Sequence, residues 1–142
     1  MTMFRKILVA YDGSAGGKKA LDAAIFLASA CGSELHSVSV EEGLPRYAAT
    51  VGEVEEVKSQ LNGAMQKLTE EAQARARQAG VELHARAVPG HEVEVIVTIC
   101  KEEAFDLLIV GFMGHSALFG RVWGSTSQNL ARLAPCSVLI VK

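Results

Sequence analysis

Short β-prone runs alternate with stretches of helical periodicity along this chain, and that alternation constrains its fold more than any other feature. Ile7-Leu8-Val9-Ala10 shows no polar alternation, as expected of a strand covered on both faces in a parallel sheet. The run ends at the turn Asp12-Gly13-Ser14. Apolar residues then recur at Leu21, Ala24, Ile25 and Ala28 with helical spacing, Ser14 standing as N-cap and Gly32 as the stop. A second strand is expected over residues 34–40. Gly43, Pro45 and Gly52 mark 41–52 as a loop, longer than the usual connection of about 4 to 6 residues. From Glu53 one stripe, Val54, Val57, Leu61, Met65, Leu68, Ala72 and Ala79, predicts the longest helix, ended by Gly80. The third strand is expected over 81–88, closed by Pro89-Gly90.

Residues 91–103 pull in two directions. Val93, Val95 and Val97 alternate, and β-branched residues favour strands. The length of the run, its end in Lys101-Glu102-Glu103 and the crossover required before the next parallel strand favour a helix, and a helix is expected. An apolar strand at 106–110, a helix over 124–133 and a fifth strand at 137–141 complete the pattern. It describes an α/β fold, one domain over residues 1–142, with an open parallel five-stranded sheet, helices on both faces and right-handed crossovers.

With 142 residues, 49% of them hydrophobic and 21% charged, the chain has room for one domain with a real core and not for a second domain. A net charge of -2 gives no general attraction to nucleic acid or anionic membrane, both of which need clustered cations. Cys31, Cys100 and Cys136 are odd in number, widely spaced and without a CxxC pair, which speaks for a reducing compartment and small core residues. The apolar run after Lys6 is too short for a secretory segment, and nothing approaches the roughly 20 apolar residues of a membrane span. A cytoplasmic protein without nucleic-acid or membrane partners is expected.

Chemistry concentrates near the C-terminus. Val110 and Gly111 close the fourth strand, and Gly111, Gly114, Gly124 and Ser125 follow the spacing G-x2-G-x9-G-[ST]. Glycines admit backbone amides close to a ligand, and a helix start at Gly124-Ser125-Thr126 presents free N–H groups and hydroxyls to phosphate oxygens. Read singly, Ser125 is an ordinary helix cap. After a hydrophobic strand, this spacing resembles the ATP-binding signature of the universal stress protein family. Lys6-Ile7-Leu8-Val9-Ala10-Tyr11-Asp12-Gly13-Ser14 and Ala134-Pro135-Cys136-Ser137-Val138-Leu139-Ile140-Val141 extend the resemblance over nearly the whole chain.

The resemblance implies a Rossmann-like, adenine nucleotide alpha hydrolase-like fold with strand order 3-2-1-4-5. The switch point then lies between the first and fourth strands, where ligands of such sheets sit. It implies Asp12 near ribose and phosphates, Ala10 lining the pocket, the Val40 backbone on adenine, and Gly111 and Gly114 on ribose and phosphate. Asp12 would also suit a phosphate-bound Mg²⁺, although the same residue serves equally as an Asx turn. Met113 departs from the Arg or His often found before the second glycine; His115 and Arg121 are candidate replacement donors. Trp123 fits packing under the loop better than covering a nucleotide.

Three functions follow. The first is an ATP-binding, Mg-assisted regulatory switch that acts through an unidentified protein partner, with bound nucleotide ordering residues 112–123. The second is a slow ATPase or phosphotransferase, for which Asp12 and His115 would be the candidates; the motif assigns no catalytic residue. The third is a nucleotide-free interaction module. The resemblance also implies a homodimer paired through strand 137–141, an apolar edge that gains from being covered. Walker A, G-x-G-x-x-G and G-x-S-x-G patterns are absent after the first strand. His36, His84 and His91 lack a zinc spacing, and Glu41-Glu42 and Glu55-Glu56 read as solvated pairs.

Overall fold

Residues 3–42, 51–112 and 125–142 are described by a computed structural model, those of 51–61 by their backbone alone. The chain runs β1 (Lys6–Ala10), α1 (Ala15–Cys31), β2 (Glu34–Glu41), α2 (Val51–Gln78), β3 (Leu83–Pro89), α3 (Glu92–Glu102), β4 (Leu107–Gly111), α4 (Ser125–Leu133) and β5 (Ser137–Val141). The sheet order is β3-β2-β1-β4-β5, and every neighbouring pair is parallel. The expected fold class and strand order both hold.

The side chains of β1 alternate between two cores. Ile7, Val9 and Tyr11 point to the face covered by α1 and α2, where Leu21, Ala24, Ala72 and Ala76 pack. Leu8 points to the face of α3 and α4, against Ile96, Ile99, Cys100 and Leu130. Ile7, Leu8, Leu108 and Ile109 have no exposed surface, and such burial contributes about 1.5–3 kcal/mol per side chain. This double covering explains why the first strand reads as an unbroken apolar run.

Local chemistry fixes the helix ends. The Ser14 hydroxyl accepts the Gly17 N–H at 3.0 Å, and Gly32 closes α1 in the left-handed region at φ 66. Residues 92–102 are helical despite their alternating valines, because the buried stripe is Ile96, Ile99 and Cys100, a helical spacing. His91 is the N-cap without a side-chain bond; the Glu92 N–H is taken instead by the Glu42 carboxylate at 3.0 Å. In α2 the stripe needs correction at its end. Ala76 is fully buried and Ala79 is exposed, since the helix ends at Gln78 and the Val81 N–H turns back to the Ala76 carbonyl. Val54, Val57 and Leu61 lie where no side chains are described. β2 takes up Glu41 and β4 takes up Gly111, because each is paired in the sheet, with Pro89 and Val141. Of the expected loop at 41–52, residues 43–50 lie outside the described residues.

Candidate functional site

The carboxyl ends of β1 and β4 lie side by side at the point where successive strands were laid down in opposite directions across the sheet. Ile7, Leu8 and Val9 of β1 pair with Leu107, Leu108 and Ile109 of β4, which brings Ala10 and Asp12 beside Val110 and Gly111. β2 runs on past this end of β1. The last β1–β2 pair is Ala10 with Val38, and the Tyr11 N–H still reaches the Val38 carbonyl at 3.0 Å. Val40 lies beyond that pair, with Val88 of β3 as its sheet neighbour.

The floor of the crevice is fixed by main chain and short side chains. Asp12 Oδ1 accepts the Ser14 N–H at 3.0 Å and the Ser14 hydroxyl at 2.5 Å, an Asx turn that aims a carboxylate at the start of α1. A negative group there complements the positive end of the helix dipole. A Cβ at Gly17 would stand 2.5 Å from Asp12 Oδ1, so this position in the first turn of α1 has no room for a larger residue. Gly111 is restricted in the same way. Its Cβ would meet the Gly16 carbonyl oxygen at 2.7 Å and its carbon at 2.8 Å, so β4 and α1 touch backbone to backbone.

Main-chain bonds further define what the crevice can offer. The Phe112 N–H donates to the Val141 carbonyl at 2.9 Å, so this amide closes the sheet and is not left for an anion. Beneath, the Ser39 hydroxyl donates to the Tyr11 carbonyl at 2.7 Å. The Tyr11 hydroxyl donates to Glu71 of α2 at 3.1 Å. Burial, and then this bond to a carboxylate, push the Tyr11 phenol up to about 12. It therefore stays protonated at neutral pH and acts as a donor that ties α2 to the end of β1.

The profile of the Universal stress protein family matches residues 3–142. The chain belongs to that family. It is 34% identical over 151 residues to the universal stress protein YxiE of Bacillus subtilis (strain 168), covering 99% of this chain and 100% of the relative. Its fold is similar to that of universal stress protein UspA from Lactobacillus plantarum, with a TM-score of 0.88, 19% identity and all of both chains covered. It is also similar to a universal stress protein crystallised in complex with cAMP, with a TM-score of 0.75, 29% identity, and 98% of this chain and 97% of that one covered.

Within the universal stress protein fold the structure brings Ala10, Asp12, Val110 and Gly111 together, with Val40 further along β2. Ser125 and Thr126 open α4, which packs on the face of Val110 through Leu130. Gly114, His115 and Gly124, and with them Met113, Arg121 and Trp123, lie outside the described residues. Among the described residues no group of three or more His, Cys, Asp and Glu could hold a metal ion, and no helix is long and apolar enough to cross a membrane. His36 and His84 pack ring to ring at 4.8 Å, His36 bonding to Glu34 at 2.8 Å.

Sequence reasoning missed Gly16 and Gly17. Their place in a failed Walker pattern hid that they let the first turn of α1 close on Asp12 and on Gly111. The signal was present as two adjacent glycines at a helix start, where glycine is otherwise unfavourable by roughly 0.5–1 kcal/mol relative to Ala.

Proposed function

We propose that the chain binds an adenine nucleotide, ATP with Mg²⁺, in the crevice between β1 and β4, and that occupancy acts as a regulatory switch read by a protein partner in the cytoplasm. The observation that carries this reading is the joint at the switch point. Gly111 reaches α1 backbone to backbone beside Asp12, in a relative of the protein bound to cAMP. In the proposed pose Val40 meets adenine through its backbone, Ala10 and Val110 line the pocket, and Asp12, Gly111 and Gly114 hold ribose and phosphates. His115, Gly124, Ser125 and Thr126 donate to the phosphate tail. Mg²⁺ would supply charge neutralisation on that tail, with Asp12 as the nearest carboxylate, its Oδ1 already held by Ser14. A γ-phosphate that orders neighbouring backbone is an established physical route to such a switch.

Calorimetric titration of nucleotide-stripped protein with ATP and Mg²⁺, and separately with cAMP, tests it. Saturable binding near one site per chain is expected, lost in Gly114→Asp because a carboxylate then enters the cradle. Unchanged affinity in that variant overturns the site; strong binding of cAMP with none of ATP overturns the choice of nucleotide.

The edge strand β5 supports a homodimer. It pairs with β4 on one side, and Leu139 is 37% exposed on it. Leu139→Lys is expected to give monomers by sedimentation, and an unaltered dimer removes the interface.

A further inference from the structure

Asp12 stands between two residues that α2 holds. Before it, Tyr11 is 3% exposed, and its hydroxyl donates to Glu71 at 3.1 Å. After it, Gly13 bends at φ 77, and a Cβ there would stand 2.8 Å from Leu68 Cδ2, so the leucine methyl lies directly on the turn. Leu68 and Glu71 are three residues apart on α2 and share one side of it. One turn further along that side, Arg75 takes the Asp22 carboxylate of α1 with bonds of 2.6 and 2.9 Å. The Tyr11 main chain is held by β2, its N–H donating to the Val38 carbonyl at 3.0 Å and its carbonyl accepting the Ser39 hydroxyl at 2.7 Å. Asp12 itself bonds to Ser14 at the start of α1.

We propose that Glu71 is a positioning residue of the nucleotide site: through the Tyr11 hydroxyl it sets the Asp12 turn, so that nucleotide occupancy and the seating of α2 on the end of β1 are coupled. This coupling rests on the nucleotide-binding reading, in which Asp12 lies at the ribose and phosphates. Glu71 acts one residue away from that contact. The sheet fixes where the turn begins, and Glu71 and Leu68 brace it from the side of α2. Removing either partner of the Tyr11–Glu71 bond leaves the other polar group without it in a largely buried place, which is costly. α2 then draws away from β1, and the turn between Tyr11 and Gly13 relaxes.

A nucleotide that contacts Asp12 binds the braced turn better than the relaxed one, and that difference in affinity is what shifts the population. By linkage, the factor by which seated α2 strengthens nucleotide binding is the factor by which nucleotide strengthens the seating. The exposed side of α2, with Lys67 and Glu70, carries the seating to the surface, where a partner can read it.

Hydrogen exchange of the full-length, nucleotide-stripped protein with and without ATP and Mg²⁺, followed on peptides covering residues 65–78, tests the coupling beside calorimetry. ATP is expected to slow exchange over these residues in the native protein. Tyr11→Phe and Glu71→Ala should lose that protection and bind ATP about fivefold or more weakly. Glu71→Gln should restore both, because its amide oxygen still accepts the Tyr11 hydroxyl. Asp22→Ala removes an α2 contact that does not touch the turn and should leave affinity unchanged. Native protein that binds ATP without slower exchange over 65–78 overturns the coupling while leaving the nucleotide site standing. So does native affinity in Tyr11→Phe, or a loss in Asp22→Ala as large as in Tyr11→Phe, which would mean a general loosening of α2. Absence of ATP binding in the native protein overturns the site and the coupling together.

Discussion

The two ends of this sheet solve one problem in opposite ways. Where the strands begin, side chains close the ends. Asp106 accepts the main-chain N–H groups of Arg5 and Lys6 at 2.7 and 3.0 Å, and Lys6 Nζ donates to the Glu103 carbonyl at 2.8 Å. Arg86 grips Glu103 with two bonds of 2.6 Å, which holds that carboxyl below its ordinary range. Lys6 and the imidazole of His36 crowd around Phe105. Where β1 and β4 end, the closure is made by backbone, Gly111 against Gly16 and the Phe112 N–H on Val141, and by one short side chain, Asp12 against Gly17. Long polar side chains at the amino end satisfy one another. Closure through glycines lets these segments approach closely, at the cost of tolerance to substitution.

That contrast can be broken by mutation. Gly111→Ala places a methyl group 2.7 Å from the Gly16 carbonyl, and backbone cannot swing aside as a side chain can. A loss of about 2–3 kcal/mol is expected from urea unfolding; a loss under about 0.5 kcal/mol would mean that α1 slides freely on β4. Gly17→Ala comes next and is diagnostic by its sign. In an ordinary helix this change stabilises by roughly 0.5–1 kcal/mol. Here the clash with Asp12 Oδ1 should reverse it to a loss of about 1–2 kcal/mol, and a gain would show the Asp12 turn to be dispensable.

The amino end should give least. The Arg86–Glu103 pair is about one-third exposed on both sides, so Arg86→Ala should cost under about 1 kcal/mol after screening and leave nucleotide affinity unchanged. Because Arg86 lowers the Glu103 carboxyl in the folded state, the pair's contribution is present above the ordinary carboxylate pKa and fades as pH falls through the folded one. Stability of the native protein and the variant should therefore converge in acid. If Arg86→Ala costs as much as Gly111→Ala, the distinction between the two ends fails.

Much of the fold was legible because periodicity reports a local face. The apolar run at 7–10 announced a strand covered twice, and Ser14 and Gly32 announced both ends of α1. At 91–103 the length of the run and the need for a crossover outweighed three alternating valines. The alternation was outweighed because the buried residues of the helix are Ile96, Ile99 and Cys100, with the valines only partly buried beside them. Likewise Ala79 continued a stripe in the sequence that the helix had already left, while Ala76 took the buried place.

By itself, then, the sequence determined the elements, their parallel arrangement and the glycine spacing that marks the candidate site, for these depend on residues near one another in the chain. The strand order came from resemblance, because periodicity says which face a strand buries and not which strand lies beside it. Tertiary structure alone decided that Gly16 and Gly17 exist to meet Gly111 and Asp12, and that Glu42 supplies the missing cap of α3. Apart from Gly17 on Asp12, these contacts join segments far apart in the chain, and their distance in space is set by how helices seat on the twisted sheet, which no local pattern records.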